Sequence, residues 1–205
     1  MVIRSIGYGI DAWNAIPTNS IKIGSSIDIS NSYQSTLSID VALGSNTSHI
    51  GSKIIIQVSP LTGIWTDLSN SLILVGTNSN ASIADNPLVL GSTTINVGNT
   101  SGFETGLANL TSSILVFLLD VNNVVNSELI QIVSCIKNTS VTISDGVINS
   151  HNISSSINNM VQTYEVELPL GISKVRIVYD NTYSTSGPTL YSRSRLVKVV
   201  EEIYP

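Results

Sequence analysis

Apolar and polar residues alternate with a period of two along most of the chain. The alternation is clear at residues 26–30 and 36–41, where every second residue is aliphatic. Because successive side chains of a β-strand point to opposite faces of its sheet, this pattern predicts strands with one buried face. Residues 53–58 are richer in aliphatic side chains, which indicates a strand buried on both faces. No window of a dozen residues has a helical period, so we predict an all-β chain.

The strand patterns are short and are separated by turns rich in glycine, asparagine and serine, which is typical of a β-sandwich or small barrel. The early strands are too few to close a sandwich, and long strands return after residue 163. We therefore predict an antiparallel β-sandwich from residues 19–85 and 161–205, preceded by an arm at residues 1–18. Residues 86–160 are predicted to be a small inserted β-barrel-like domain. A simple tandem of two domains is the alternative.

Few residues are charged. The charged fraction is 11%, against about 25% in typical domains, and the remaining polarity comes from serine, asparagine and threonine. A surface of this kind loses little solvation energy when another protein covers it, which favours assembly. A genome of low GC content would enrich asparagine and isoleucine in the same way.

The net charge is −5, and no basic run is present. Direct binding to nucleic acid or to anionic membranes is therefore not expected, since both depend on cationic side chains. The longest apolar run, residues 114–119, is far shorter than the roughly 20 residues of a membrane span. The first residues lack the apolar segment of a signal peptide, so we expect synthesis in the cytoplasm without export by the usual route.

The residue types that usually act in catalysis or metal binding do not form a recognisable motif in this sequence. The single cysteine, Cys135, lies in an apolar strand pattern and is expected to be a buried, inert thiol. His49 and His151 lie in different predicted domains without cysteine or carboxylate at a metal-ligand spacing, so both are predicted to be solvated loop residues. No nucleophile elbow or phosphate-binding glycine loop is present. We expect no enzymatic activity, no metal and no cofactor.

Several carboxylates can be interpreted either as functional groups or as ordinary residues of strands. Glu165 and Glu167 share one strand face, where they could serve acid–base chemistry or bind calcium, but a solvated face is the preferred interpretation. Glu128 stands at the head of an apolar strand, and if buried it would need a partner such as Lys137. Exposure at a sheet edge is the preferred interpretation for Glu128. Asp40 alternates with aliphatic residues, which places it on the outer face of its strand.

The aromatic residues offer candidate contacts. Tyr8 and Trp13 lie in the glycine-containing arm, where they would either anchor it on a neighbouring protein or cover the chain's own sandwich. Trp65 is predicted to be a core residue. Tyr179, Tyr183 and Tyr191 surround the last predicted hairpin.

One segment carries a series of short motifs. They are a threonine-rich strand with a Gly-Phe turn, an apolar strand, a Ser-Glu strand, and a Thr-Ile strand with a histidine soon after it. The residues concerned are Thr93-Thr94-Ile95-Asn96-Val97, Ser101-Gly102-Phe103, Ser127-Glu128-Leu129-Ile130-Gln131-Ile132, Val141-Thr142-Ile143-Ser144-Asp145-Gly146 and His151. This pattern resembles a small β domain that recurs in bacteriophage virion proteins. Residues 65–68 and 176–181 resemble its surroundings in uncharacterised phage and prophage structural proteins. Asp145-Gly146 stands where many relatives carry Arg-Gly, which leaves the subfamily open.

The resemblance implies a virion component without catalytic residues: a head decoration, neck or tail protein that forms a homo-oligomer and contacts other virion proteins. Its expected location is the virion. The alternative function is a carbohydrate-binding or adhesive β-sandwich, for which Tyr179, Tyr183 and Tyr191 are the candidate ligand-face aromatics. The aromatic content of 5% argues against that alternative.

Overall fold

The computed structural model describes residues 2–44, 48–60, 63–68, 72–99, 113–182 and 189–202. Their regular secondary structure consists of strands and one 3-10 turn at Val124–Asn126, and every strand pair whose register is defined by described residues is antiparallel. The all-β prediction is confirmed. The strands are β1 Val2–Ile16, β2 Ile21–Ile23, β3 Ile27–Asp28, β4 Gln34–Leu43, β5 Ser48–Ser59, β6 Thr66–Asp67, β7 Leu72–Thr77, β8 Asn80–Ser82, β9 Thr94–Asn96, β10 Ile114–Leu119, β11 Glu128–Ile136, β12 Ser140–Ile143, β13 Ser156–Asn158, β14 Val161–Leu168, β15 Lys174–Asp180 and β16 Leu190–Glu202. In the part of the chain that the structure describes, no helix is long and apolar enough to cross a bilayer.

The chain folds into two compact units. The first consists of Met1–Val41, His49–Val75 and Gln162–Pro205, and the second of Ala42–Ser48 and Gly76–Val161. The second unit begins earlier than the predicted residue 86, because β8 pairs with β13 and so belongs to the second unit's sheet.

The predicted arm is instead a strand. β1 pairs with β16 from Val2 opposite Glu202 to Ile16 opposite Leu190. Gly7 and Gly9 interrupt the alternation of this segment, and glycine is depleted in strands, which is why its sequence did not predict one.

The first unit contains two sheets. One has the strand order β1-β16-β4-β14, and the other has the order β2-β15-β5-β6, with β3 also paired to β15 and β7 to β5. Alternating residues of β4 and β15, among them Leu37 and Ile177, are fully buried. The phenol of Tyr179 on β15 faces Ser192 and Ser194 on β16, so the two sheets pack face to face as a sandwich.

The second unit is one curled sheet with the order β8-β13-β10-β11-β12-β9. Its two outer strands meet just beyond their ends, where Ile83 and Val97 form a β-bridge and the Ala84 N–H donates to the Asn96 carbonyl at 2.8 Å. The curl encloses an aliphatic core that includes Val116, which is fully buried.

Candidate functional site

The outer face of the four-stranded sheet holds a buried carboxylate. Leu37 and Ile39 of β4 point into the sandwich, so Asp40 between Ile39 and Val41 points to the outer face, as predicted. It is nevertheless only 1% exposed, because side chains of the two flanking strands cover it. Arg193 Nε donates to Asp40 at 2.7 Å, and Arg195 Nη2 donates at 3.2 Å. Thr163 Oγ1 on β14 donates at 2.7 Å. Two arginines therefore share one buried anion.

Trp13 packs beside Arg193 on the outer face of the same sheet. The guanidinium of Arg193 lies 5.1 Å from the centre of the Trp13 ring, which is a cation–π distance. Trp13 is 3% exposed, so it covers the chain's own sheet and is not an exposed docking anchor. The backbone of Tyr8 lies in β1, but its side chain lies outside the described residues.

A groove of about 490 Å³ crosses the same outer face. It draws residues from all four strands, and in the register of β1 with β16 Gly9 lies opposite Arg195 and Gly7 opposite Val197. The described residues that line the groove are Gly7, Gly9, Ser38, Glu165, Arg195, Leu196 and Val197. Arg195 is 52% exposed at its side chain, so its guanidinium faces both Asp40 and solvent.

The second unit contains a buried histidine between two carboxylates. His151 Nε2 lies 2.7 Å from Glu128 Oε1, and Nδ1 lies 3.6 Å from Asp120 Oδ2. None of the three side chains is more than 5% exposed. Both sequence predictions for this cluster were wrong: His151 is not a solvated loop residue, and Glu128 is buried against His151 instead of exposed at an edge or paired with Lys137. The histidine and its partner are separated by 23 residues, and the loop between β12 and β13 brings His151 to the start of β11.

The two carboxylates of this cluster also hold loops. Glu128 accepts the N–H groups of Ile148 at 2.9 Å and of Asn149 at 3.1 Å. Asp120 accepts the N–H groups of Asn122 and Asn123, both at 3.0 Å. Because each carboxylate accepts two backbone N–H groups, the cluster fixes the loops around it. Among the described residues, no three histidine, cysteine or acidic side chains are arranged to hold a metal ion.

Two of the three tyrosines of the predicted aromatic ligand face can be placed, and they do not share a surface. Tyr179 is fully buried in the sandwich, and its burial raises its pKa to about 12. Tyr191 lies half-buried on β16, on the opposite face from the inward-pointing Ser192, and burial raises its pKa too. Tyr183 lies outside the described residues. Tyr179 therefore lies between the two sheets and Tyr191 on the outer face of the four-stranded sheet, so they cannot contact one ligand.

The other predicted residues are placed as follows. Cys135 is only partly buried, and it packs against the aliphatic core of the second unit. Trp65 is not a core residue, because its ring is half-buried beneath Arg176, whose guanidinium lies 4.1 Å from the ring centre. Glu165 and Glu167 are exposed on β14, as predicted. The side chain of His49 and the turn at residues 101–103 lie outside the described residues.

Comparisons with known families, curated proteins and solved structures gave no match for this chain. The class that the fold defines is an antiparallel, all-β protein of two compact units. The resemblance to virion domains therefore stays a prediction, and a function has to be argued from the surfaces described above.

Proposed function

We propose that this chain is a non-enzymatic virion structural protein, a head decoration, neck or tail component, that acts by assembling with copies of itself and with other virion proteins. The observation that carries the proposal is the open edge of β1. Within the ranges that the structure describes, β1 pairs only with β16 and forms one edge of its sheet. Its other side therefore presents backbone N–H and C=O groups to any strand that approaches.

The exposed edge is long and in part unprotected. β1 has 15 residues, whereas most strands have about five or six. Irregularities of register, which discourage pairing at an edge, occur between Gly9 and Asp11 and between Asp11 and Asn14. Residues 2–9 pair with β16 without such a shift, and Arg4 is their only charged residue. This half of the edge is suited to accept a further strand.

Antiparallel addition of β1 from a second copy would join two four-stranded sheets into one continuous sheet about a two-fold axis. Backbone hydrogen bonds would supply the attraction, and the low charge of the chain keeps the desolvation cost small. The enclosed Glu128–His151–Asp120 cluster supports a non-catalytic role, because a substrate cannot reach side chains that are at most 5% exposed.

The test is the mass of the full chain in solution, measured by light scattering over a range of concentrations, for the parent and for I6P and G7P. Successive residues of an edge strand direct their N–H groups alternately inward and outward. One of the two prolines therefore removes a hydrogen bond to β16, and the other removes only an outward donor. Thermal melting identifies the second kind, since that variant keeps the parental stability.

We expect the parent to form a dimer, since a two-fold interface closes at two copies, and the variant with parental stability to be monomeric. A parent that stays monomeric at the highest concentration reached would overturn assembly through β1. So would a stably folded proline variant with the same mass distribution as the parent.

A further inference from the structure

We propose that the groove across the outer face of the four-stranded sheet binds an uncharged, hydroxyl-rich ligand of the saccharide class. This inference goes beyond assembly and does not depend on it, because assembly is assigned to the lateral edge of β1 and the groove to the face of the sheet. The groove volume of about 490 Å³ lies within the range of roughly 300–1,000 Å³ that is usual for small-molecule sites.

The groove exists because two residues of β1 lack side chains. Neither Gly7 nor Gly9 has the positive φ that would require glycine, and a Cβ at either position would meet nothing within 4 Å. The register shift between Gly9 and Asp11 explains why a glycine stands at position 9. No contact within the described chain accounts for Gly7. Glycine inside a strand commonly marks a place where a ligand approaches the backbone, and here it leaves the space above Val197 open.

Arg195 and Glu165 are the charged groups of the groove, and Arg195 is held by two hydrogen bonds from one of its nitrogens. Asp40 and Ser38 both contact Nη2 of Arg195, at 3.2 and 3.4 Å, and so hold the guanidinium in place. The other guanidinium nitrogens of Arg195 make no hydrogen bond to any side chain or backbone group that the structure describes. Glu165, on the same groove, likewise has no hydrogen bond or ion pair there. The pair is too far apart to form a salt bridge.

A ligand between Arg195 and Glu165 has to accept hydrogen bonds from one and donate to the other. A hydroxyl group does both, and neighbouring hydroxyls on a ring serve the two side chains together. Val197, which is 41% exposed, offers an aliphatic surface for the C–H face of such a ring. A strand of peptide is a poorer fit, because the backbone groups of this sheet are already paired across its face and are available only at its edges.

The test is saturation-transfer NMR on the full chain, which observes the added sugar whatever the size of the protein. The probes are maltose, cellobiose, lactose, chitobiose and mannobiose, each in millimolar excess. G7L places a side chain in the open groove, and its Cβ would meet no atom within 4 Å, so it should fold normally. G98L is the matched control, because Gly98 also has an ordinary φ and open space but lies in the second unit.

We expect at least one sugar to show saturable transfer with the parent and with G98L, and the affinity to fall at least tenfold in G7L and in E165A. Thermal melting should show G7L to be as stable as the parent. Absence of transfer to every probe overturns the proposal, as does transfer that is unchanged in G7L. A serine- and asparagine-rich peptide that binds in a G7L-sensitive manner when none of the sugars binds would also overturn it.

Discussion

His151 Nε2 lies 2.7 Å from Glu128 Oε1 inside the second unit, and both side chains are almost completely buried. The contact links the strand that opens with Glu128 to the loop that ends at His151. Since Glu128 also accepts two backbone N–H groups of that loop, one carboxylate makes three contacts, and its removal would leave all three groups without this partner.

Replacing this carboxylate should therefore be costly. We expect E128A to lower the free energy of unfolding by about 3–5 kcal/mol, because three buried polar groups lose their partner at about 1–3 kcal/mol each. Urea denaturation of the full chain measures the loss. The control is E165A, an exposed glutamate on β14, whose substitution should change stability by no more than about 0.5 kcal/mol. Equal stability of the two variants would show that the cluster contributes nothing to folding.

A second buried carboxylate, Asp40, holds Arg193, Arg195 and Thr163. In D40A the two guanidinium groups face each other without an anion between them. We expect a loss of about 2–4 kcal/mol in the free energy of unfolding, reduced somewhat because Arg195 can turn to solvent. D67A serves as the comparison, because Asp67 is an exposed residue of the first unit. A D40A protein as stable as D67A would refute the role given to this contact.

Tyr179 should make the first unit sensitive to alkali. Burial raises its pKa from 10.0 to about 12, so the folded chain binds the phenolic proton more tightly than the unfolded chain. The resulting stabilisation is complete below pH 10 and is lost as the pH rises through about 12, which amounts to about 3 kcal/mol.

The measurement is urea unfolding of the parent and of Y179F at about pH 9 and at about pH 12. The parent should lose more stability than Y179F over this interval, since phenylalanine has no proton to release. An identical loss in both proteins would assign the alkaline sensitivity to other groups.

Gly146 should tolerate no side chain. A Cβ at this position would lie 2.5 Å from the carbonyl oxygen of Gly91, and two more backbone atoms of Gly91 lie within 3 Å. These atoms cannot move aside, because hydrogen bonds join the segment to Val147 directly beside them. We expect G146A to cost about 1–3 kcal/mol. G98A, with open space around it, should be neutral or slightly stabilising. Equal melting temperatures for the two variants would contradict the close approach.

The sequence predicted the fold class, but it did not predict the buried polar clusters around Asp40 and His151. Period-two alternation is a local signal, and it predicted the strands around Leu37 and Ile39 that the structure contains. The same spacing bears on Tyr179, because Val175, Ile177 and Tyr179 follow one another at every second position of β15 and so share one inward face. The partners of Glu128 could not be predicted in this way.

His151 and Glu128 meet because the loop between β12 and β13 returns to the start of β11, where Glu128 also accepts the N–H groups of Ile148 and Asn149. No periodicity of the sequence encodes that contact. The same is true of Asp40, whose face was predicted from alternation but whose burial depends on Arg193 and Thr163 from distant strands.

The pairing of β1 with β16 also has a mechanical consequence. The two strands are antiparallel, and Val2 lies opposite Glu202 at the end of the ladder. A force that pulls residues 2 and 202 apart therefore acts first on the hydrogen bonds at the end of the ladder. The remaining hydrogen bonds then break one pair after another. A force applied along β1 against the rest of the sheet would load many bonds at once. The chain should thus resist tension along its sheet far better than tension between its two terminal strands.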